Sequence, residues 1–252
     1  MPIPNTGGKK KHDKMYANLK QHLSDERIDL LHRYFEAASH FYQIISLKRL
    51  LRIINSQNSE QYTEDDFLAY VEIARNEQNF YEICGLEELF DSEPESTPIN
   101  RLLVHESLLD YEDYVEMYSK KQGRAYYVPE KDELLAYEDD FYIERTPQCI
   151  AMCEFCKKVS KKSNDEAVED LIFEILFTVK SENSSPFEAL EFINQSAVRL
   201  DVNEKDLTEF IRLYCELHNN TRNLYLNGFT PNEWFQKTGS ISDSYCLDPE
   251  DY

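Results

Sequence analysis

The sequence predicts a mostly α-helical protein with a winged-helix-like α+β unit in its N-terminal half. Three observations carry that prediction. Apolar residues recur at helical spacing along most of the chain. Strand-like runs are few and short: "NFYEICG", "NRLLVHE" and an extended piece before Pro129. Only 6 of the 252 residues are glycine, a poor supply for the phosphate-cradling turns of nucleotide-binding α/β folds. Hydrophobic residues make up 41%, which is enough to bury a core and argues against global disorder.

The elements follow in order. Residues 1–14, "MPIPNTGGKKKHDK", predict a disordered basic tail. Ser24 caps "DERIDLLHRYFEAASHF", whose Ile28, Leu31, Phe35 and Ala38 form one stripe. "SLKRLLRIIN" is a second helix. Thr63 caps a third, "EDDFLAYVEIARN", with Phe67, Tyr70, Val71 and Ala74 turned inward. The two extended pieces come next, separated by the acidic "LEELFDSEPESTPI". Two helices and a two-stranded ribbon predict the winged-helix-like unit over about 41–110. Residues 106–122 predict one helix closed by Gly123, and a tyrosine-rich helix follows Pro129. From Thr146 the pattern is helical throughout. Thr146-Pro147 starts one helix, Asn164 caps 165–180, Ser185 to Glu188 forms a capping box, 204–226 is a long helix, and Thr230 to Glu233 starts the last. The domain organisation read from this is a tail over 1–14, a region 15–122, a helical C-terminal region 123–236 and a flexible acidic tail 237–252.

Charge narrows the partners. Four lysines against Asp13 give residues 1–14 a charge of +3, so the rest carries −24 of the net −21. Such a body repels phosphate backbones and anionic membranes, and its favoured partner is a protein, basic surfaces first. No apolar run reaches bilayer length, so no membrane partner is expected. Residues 1–14 lack the apolar stretch of a secretory signal. With 6 cysteines and no such signal, the expectation is a reducing cytoplasm with free thiols.

Cys149, Cys153 and Cys156 have the C-x3-C-x2-C spacing of the cluster-binding signature in radical S-adenosylmethionine enzymes. That chemistry needs the motif in a loop after the first strand of a βα barrel. Here it opens a helix, and the chain beyond reads as helices. At i, i+4 and i+7 the thiols share one helical face, where free cysteine behaves as a small hydrophobe. The expectation is core packing and no cofactor. The alternative, a three-thiol metal site, would need His105, His218 or Cys84 as a distant fourth ligand. Cys215 and His218 lie one turn apart, which is read as a core cysteine beside a helix-end histidine rather than a nucleophile pair. No catalytic or phosphate-loop motif is present, and the carboxylate clusters 65–66 and 138–140 read as solvated helix surface.

A winged helix invites a DNA-binding reading, and the charges resist it. Residues 64–77 carry Glu64, Asp65, Asp66, Glu72 and Glu77 against Arg75, a net of −4, where base and phosphate contacts call for cations. Only the preceding helix is basic, with Lys48, Arg49 and Arg52; these three are the nucleic-acid contacts of the alternative reading.

The most unusual polar stretch is "HNNTRNLYLNGFTPNEWF". His218, Asn219, Asn220, Thr221 and Arg222 stand where the pattern continues a helix, although Asn and Thr are weak helix formers. A helix accepts that cost when the side chains join a hydrogen-bond network or bind a ligand. With "IINSQN" and "YYVPEKDELLAYEDDFY", this HNNTR…GFTPNE block resembles a family of bacterial proteins, mainly from Firmicutes and their prophages, often linked to SEC-C zinc domains. The resemblance covers about residues 30–235. It implies a cytosolic bacterial or prophage protein and brings no activity with it. The terminal "SISDSYCLDPEDY" has a single Cys246 and lacks the clustered cysteines of the SEC-C motif, so zinc binding is not carried over.

The function expected from these readings is a non-enzymatic adaptor or regulator that binds another protein. A nucleic-acid-linked regulator acting through the winged-helix-like unit is the alternative. An acidic DNA mimic that occupies a DNA-binding protein comes third, and an enzyme last.

Overall fold

The computed structural model describes residues 6–91, 93–110, 113–160, 165–181, 185–195, 200 and 202–240. It is mostly helical with one small antiparallel sheet. The chain divides into two compact units, residues 1–122 with 128–140, and residues 123–127 with 141–252. The sequence placed the boundary once, at 122/123. The return of 128–140 has a local cause. Helix α8, Lys131–Ala136, buries Leu134 and Leu135 in the first unit. Gln57 donates to the Pro129 carbonyl (2.6 Å), Lys131 to Asn58 (2.7 Å) and Arg33 to Glu138 (2.7 Å).

The first unit begins with α1, Thr6–Leu19, so residues 6–14 are helical and the expected disordered tail is corrected there; residues 1–5 lie outside the described residues. Burial of Leu19 and contacts of His12 and Tyr16 with Glu77 give this helix a tertiary anchor that a local reading does not see. Then come α2 (Asp25–Tyr42), β1 (Ile44–Ser46), α3 (Leu47–Gln57), α4 (Glu64–Ala74), β2 (Tyr81–Cys84), the one-turn α5 (Leu86–Leu89) and β3 (Leu102–His105). Ser24, Ser46 and Thr63 cap α2, α3 and α4 by accepting from the backbone N–H three residues on. The sheet order is β1-β3-β2, antiparallel, with Ile45 opposite Leu103 and Ile83 opposite Leu103 on the other side. Three helices, a strand between the first two and a two-strand wing make the winged-helix-like arrangement. It starts with α2 rather than at 41, and its sheet has three strands rather than two. The third strand was missed because three residues between two helices leave no alternation to read. The core joins the faces: Phe35 of α2 packs against Phe67 and Tyr70 of α4 and Tyr81 of β2, with ring centroids 5.1–5.9 Å apart. The predicted helix 106–122 is divided into α6 (Glu106–Asp110) and α7 (Tyr114–Lys121).

The second unit is built from α9 (Pro147–Val159), α10 (Asp165–Ser181), α11 (Pro186–Gln195), α12 (Glu204–Asn219) and α13 (Pro231–Thr238). Val168, Leu171, Ile172, Ile175 and Val179 of α10 meet Phe155 of α9 and Phe210 and Tyr214 of α12 in one apolar core. Ser185 and Glu188 form the expected capping box, whereas Asn164 lies outside the described residues, as does the tail from 241 on. The long helix predicted over 204–226 ends at Asn219. A 3-10 turn, Leu224–Leu226, follows, and then Asn227 and Gly228 with φ of 53° and 85°. Leu217 and Leu224, seven residues apart, imitate helical spacing, but Asn223 caps the new turn by accepting from the Tyr225 and Leu226 amides.

Candidate functional site

In a winged helix the third helix is the reading element. Here that is α4, and its exposed residues are Glu64, Asp65, Ala69 and Glu72, with Asp66 half-buried. Nearby arginines are engaged inside the unit: Arg101 donates to Glu72 (2.7 Å) and Arg75 to Glu88 (3.1 Å). The connection from β2 to β3 adds Glu87, Asp91, Glu93 and Glu95. Helix α1 packs alongside α4. Its Met15, Asn18 and Leu19, with His22, line a pocket of about 300 Å³ against Asp65, Ala69 and Glu72. His12 Nε2 lies 3.0 Å from Glu77, and His22 Nδ1 lies 3.9 Å from Asp66. The basic trio Lys48, Arg49 and Arg52 is exposed, but on α3 and not on α4.

The block from 218 is built into the second unit. His218, Asn219 and Thr221 are buried, while Asn220 and Arg222 are half-buried. Arg222 donates to Glu233 (2.5 Å) and to the Gly228 carbonyl (3.4 Å), and its guanidinium lies 3.8 Å over the Tyr127 ring. Glu233 is at the same time the capping-box acid of α13, accepting from the Thr230 amide (3.0 Å). Asn220 donates to the Glu216 carbonyl (2.8 Å) and accepts from Asn232 (3.1 Å); Thr221 donates to the Leu217 carbonyl (2.7 Å). Asn227 and the segment 124–127 hold each other, the Asn227 side-chain amide donating to the Arg124 carbonyl (3.3 Å) and the Tyr127 N–H to the Asn227 carbonyl (3.0 Å). Burial lowers the pKa of His218.

Cys149, Cys153 and Cys156 lie in the apolar core of that unit with Met152, Phe155 and Cys215. Burial pushes the Cys149 thiol up and that of Cys156 up to about 12, the opposite of what an activated nucleophile needs. Cys215 and His218 sit on the inward face of α12.

A second constellation was not found from sequence. His40 in the last turn of α2, His105 at the end of β3 and Asp140 after α8 bring one ligand atom each to within 4.8 Å of the others. His40 Nε2 is 3.5 Å from Asp140 Oδ1, and the two imidazole centroids are 5.4 Å apart. By sequence His105 reads only as a distant partner for the cysteines, and Asp140 only as solvated surface. No spacing along the chain signals this trio, because three separate elements supply it. Burial, followed by the neighbouring His40, lowers the pKa of His105 to about 4. No helix of the described residues is long and apolar enough to cross a membrane. Compared with protein-family models, curated proteins and solved structures, the chain matches none of them.

Proposed function

We propose that the winged-helix unit is a protein-docking module whose α4 face receives a basic surface of another protein. The observation that carries this reading is the composition of the exposed α4 face: Glu64, Asp65 and Glu72 stand where a DNA reader presents cations, and the adjacent Arg75 and Arg101 are paired with carboxylates. A phosphate backbone approaching that face meets like charge, whereas lysines and arginines of a protein meet complementary charge. The role is that of a non-enzymatic adaptor or regulator, and DNA-binding proteins, being basic, are among the partners this chemistry accepts.

The test titrates the full chain with a lysine-rich helical peptide and, separately, with a mixed-sequence DNA duplex. Binding to the peptide should weaken steeply with salt, and the paired substitutions Glu64→Lys and Asp65→Lys should abolish it. The duplex should not bind at physiological salt. Duplex binding that survives such salt and is lost with Lys48→Ala, Arg49→Ala and Arg52→Ala would replace docking by the nucleic-acid reading.

A further inference from the structure

We propose that His40, His105 and Asp140 form a site for a divalent metal ion of the zinc class, held by two imidazole nitrogens and one carboxylate oxygen. Four features converge on it. The first is distance: His40 Nε2 and Asp140 Oδ1 are 3.5 Å apart, close to the edge of about 3.4 Å of a tetrahedron with bonds near 2.0–2.1 Å. The third ligand atom lies within 4.8 Å of both, so rotation of an imidazole or of the Asp140 side chain closes the site.

The second feature is the outer layer of hydrogen bonds. His40 Nδ1–H donates to the Tyr137 carbonyl at 2.7 Å, which leaves the lone pair on Nε2, facing the cluster. His105 Nδ1 lies 2.8 Å from Ser107 Oγ, and Ser107 Oγ donates onward to Gln43 Oε1 at 3.5 Å. In that chain His105 Nδ1–H donates to Ser107, and its Nε2 lone pair is likewise left for the site. The Ser107 amide, 3.3 Å from the same Nδ1, serves the other tautomer, and a bound metal selects between the two. Oxygen acceptors on the non-ligating nitrogens are how metal-binding histidines are oriented.

The third feature is an unmet need. The His40 side chain is only 9% exposed, and among the described residues its Nε2 has no hydrogen-bond partner despite the nearby carboxylate. A buried polar atom in that condition calls for a reason, and a metal ion supplies one. The fourth is backbone strain at the same place. Gln43 adopts φ 61°, ψ −42° without being glycine, while its carbonyl accepts from the His105 N–H at 2.8 Å. Two imidazoles and one carboxylate suit zinc, cobalt or nickel rather than calcium or magnesium. With Asp140 55% exposed, the fourth coordination position opens towards solvent on the carboxylate side.

The experiment uses the full chain, without a polyhistidine tag, stripped with a chelator and titrated with zinc against a competing indicator. One equivalent should bind. His105→Ala should abolish binding, exposed Asp140→Asn should weaken it at least about tenfold, and Ser107→Ala, acting through His105, about tenfold. Cobalt should give visible d–d bands without the near-ultraviolet charge transfer of a thiolate, and Cys153→Ala should leave the stoichiometry unchanged. Circular dichroism establishes that each variant is folded, and the folded Asp140→Asn protein decides the matter if His105→Ala does not fold. Absence of saturable zinc binding in the wild type, undiminished binding by Asp140→Asn, or a thiolate band with cobalt overturns the proposal. The site is independent of docking on α4, so Glu64→Lys with Asp65→Lys should leave the zinc stoichiometry at one.

Discussion

Lys121 in the first unit and Arg222 in the second are long cations largely withdrawn from solvent, and they are accommodated differently. In the first, Lys121 at the end of α7 is buried and donates to the Tyr42 carbonyl, and burial pulls its pKa from 10.5 down to about 7. In the second, Arg222 is 12% exposed, pairs with Glu233 and lies over Tyr127. A lysine can shed its proton to escape the desolvation penalty, whereas a guanidinium cannot and must be given an anion. The first unit therefore meets neutral pH with a buried group near its own titration point. In the second, burial also lowers the pKa of Lys180, but the Arg222 charge is locked into a helix cap, where the same carboxylate serves Arg222 and the start of α13.

The largest effect expected from this contrast is in pH. Between about pH 7 and 9 the unfolded chain keeps the Lys121 proton and the folded chain releases it, so stability rises with pH, at a slope approaching 1.4 kcal/mol per pH unit. Below pH 7 both states hold the proton and this contribution is flat. Urea midpoints followed by circular dichroism in that window check it, and Lys121→Met should flatten the rise. An unchanged slope in that variant would erase the distinction between Lys121 and Arg222.

The next effect sharpens the other half. Glu233→Ala strips Arg222 of its anion and α13 of its capping acid, and should cost about 3 kcal/mol. Fluorescence of Trp234, the only tryptophan in the chain, reads the loss directly. A cost under about 1 kcal/mol would mean that solvent, not Glu233, carries the Arg222 charge. The smallest effect is Asn220→Leu, about 1 kcal/mol by thermal melt, because Asn220 and its partner Asn232 are both half-buried and water can replace what is lost. An unchanged midpoint there, with Glu233→Ala costly, would confine the stabilising network to Arg222 and Glu233.

Much of the fold was legible because its signals are local. Ser24, Thr63, Thr146, Ser185 and Thr230 announce helix starts by satisfying backbone donors within one turn. The stripe of α10 needs no partner to be read as inward. The end of α12 was misread for the same reason: Leu224, seven residues after Leu217, prolongs an apolar pattern, and the Asn227-Gly228 pair that turns the chain back weighs little against it. Strand β1 was too short to show a period. Helix α1 looked like a tail because its lysines speak of solvent, and only its contacts with Glu77 and the burial of Leu19 make it structure.

Of the sites, the acidity of α4 and the placement of the three thiols on one inward face follow from composition and spacing, and needed no coordinates. That Arg222 would require a carboxylate also follows from its chemistry. Which carboxylate answers it is a tertiary fact, because Glu233 reaches it only after the chain reverses at Asn227 and Gly228. The meeting of His40, His105 and Asp140 belongs wholly to the tertiary structure. Helix α2, strand β3 and the turn after α8 each place one ligand, and no periodicity within an element encodes a distance between elements. Local hydrogen bonds and periods of 3.6 are written residue by residue; long-range convergence is set by how apolar faces pack, and that is where the sequence alone stops.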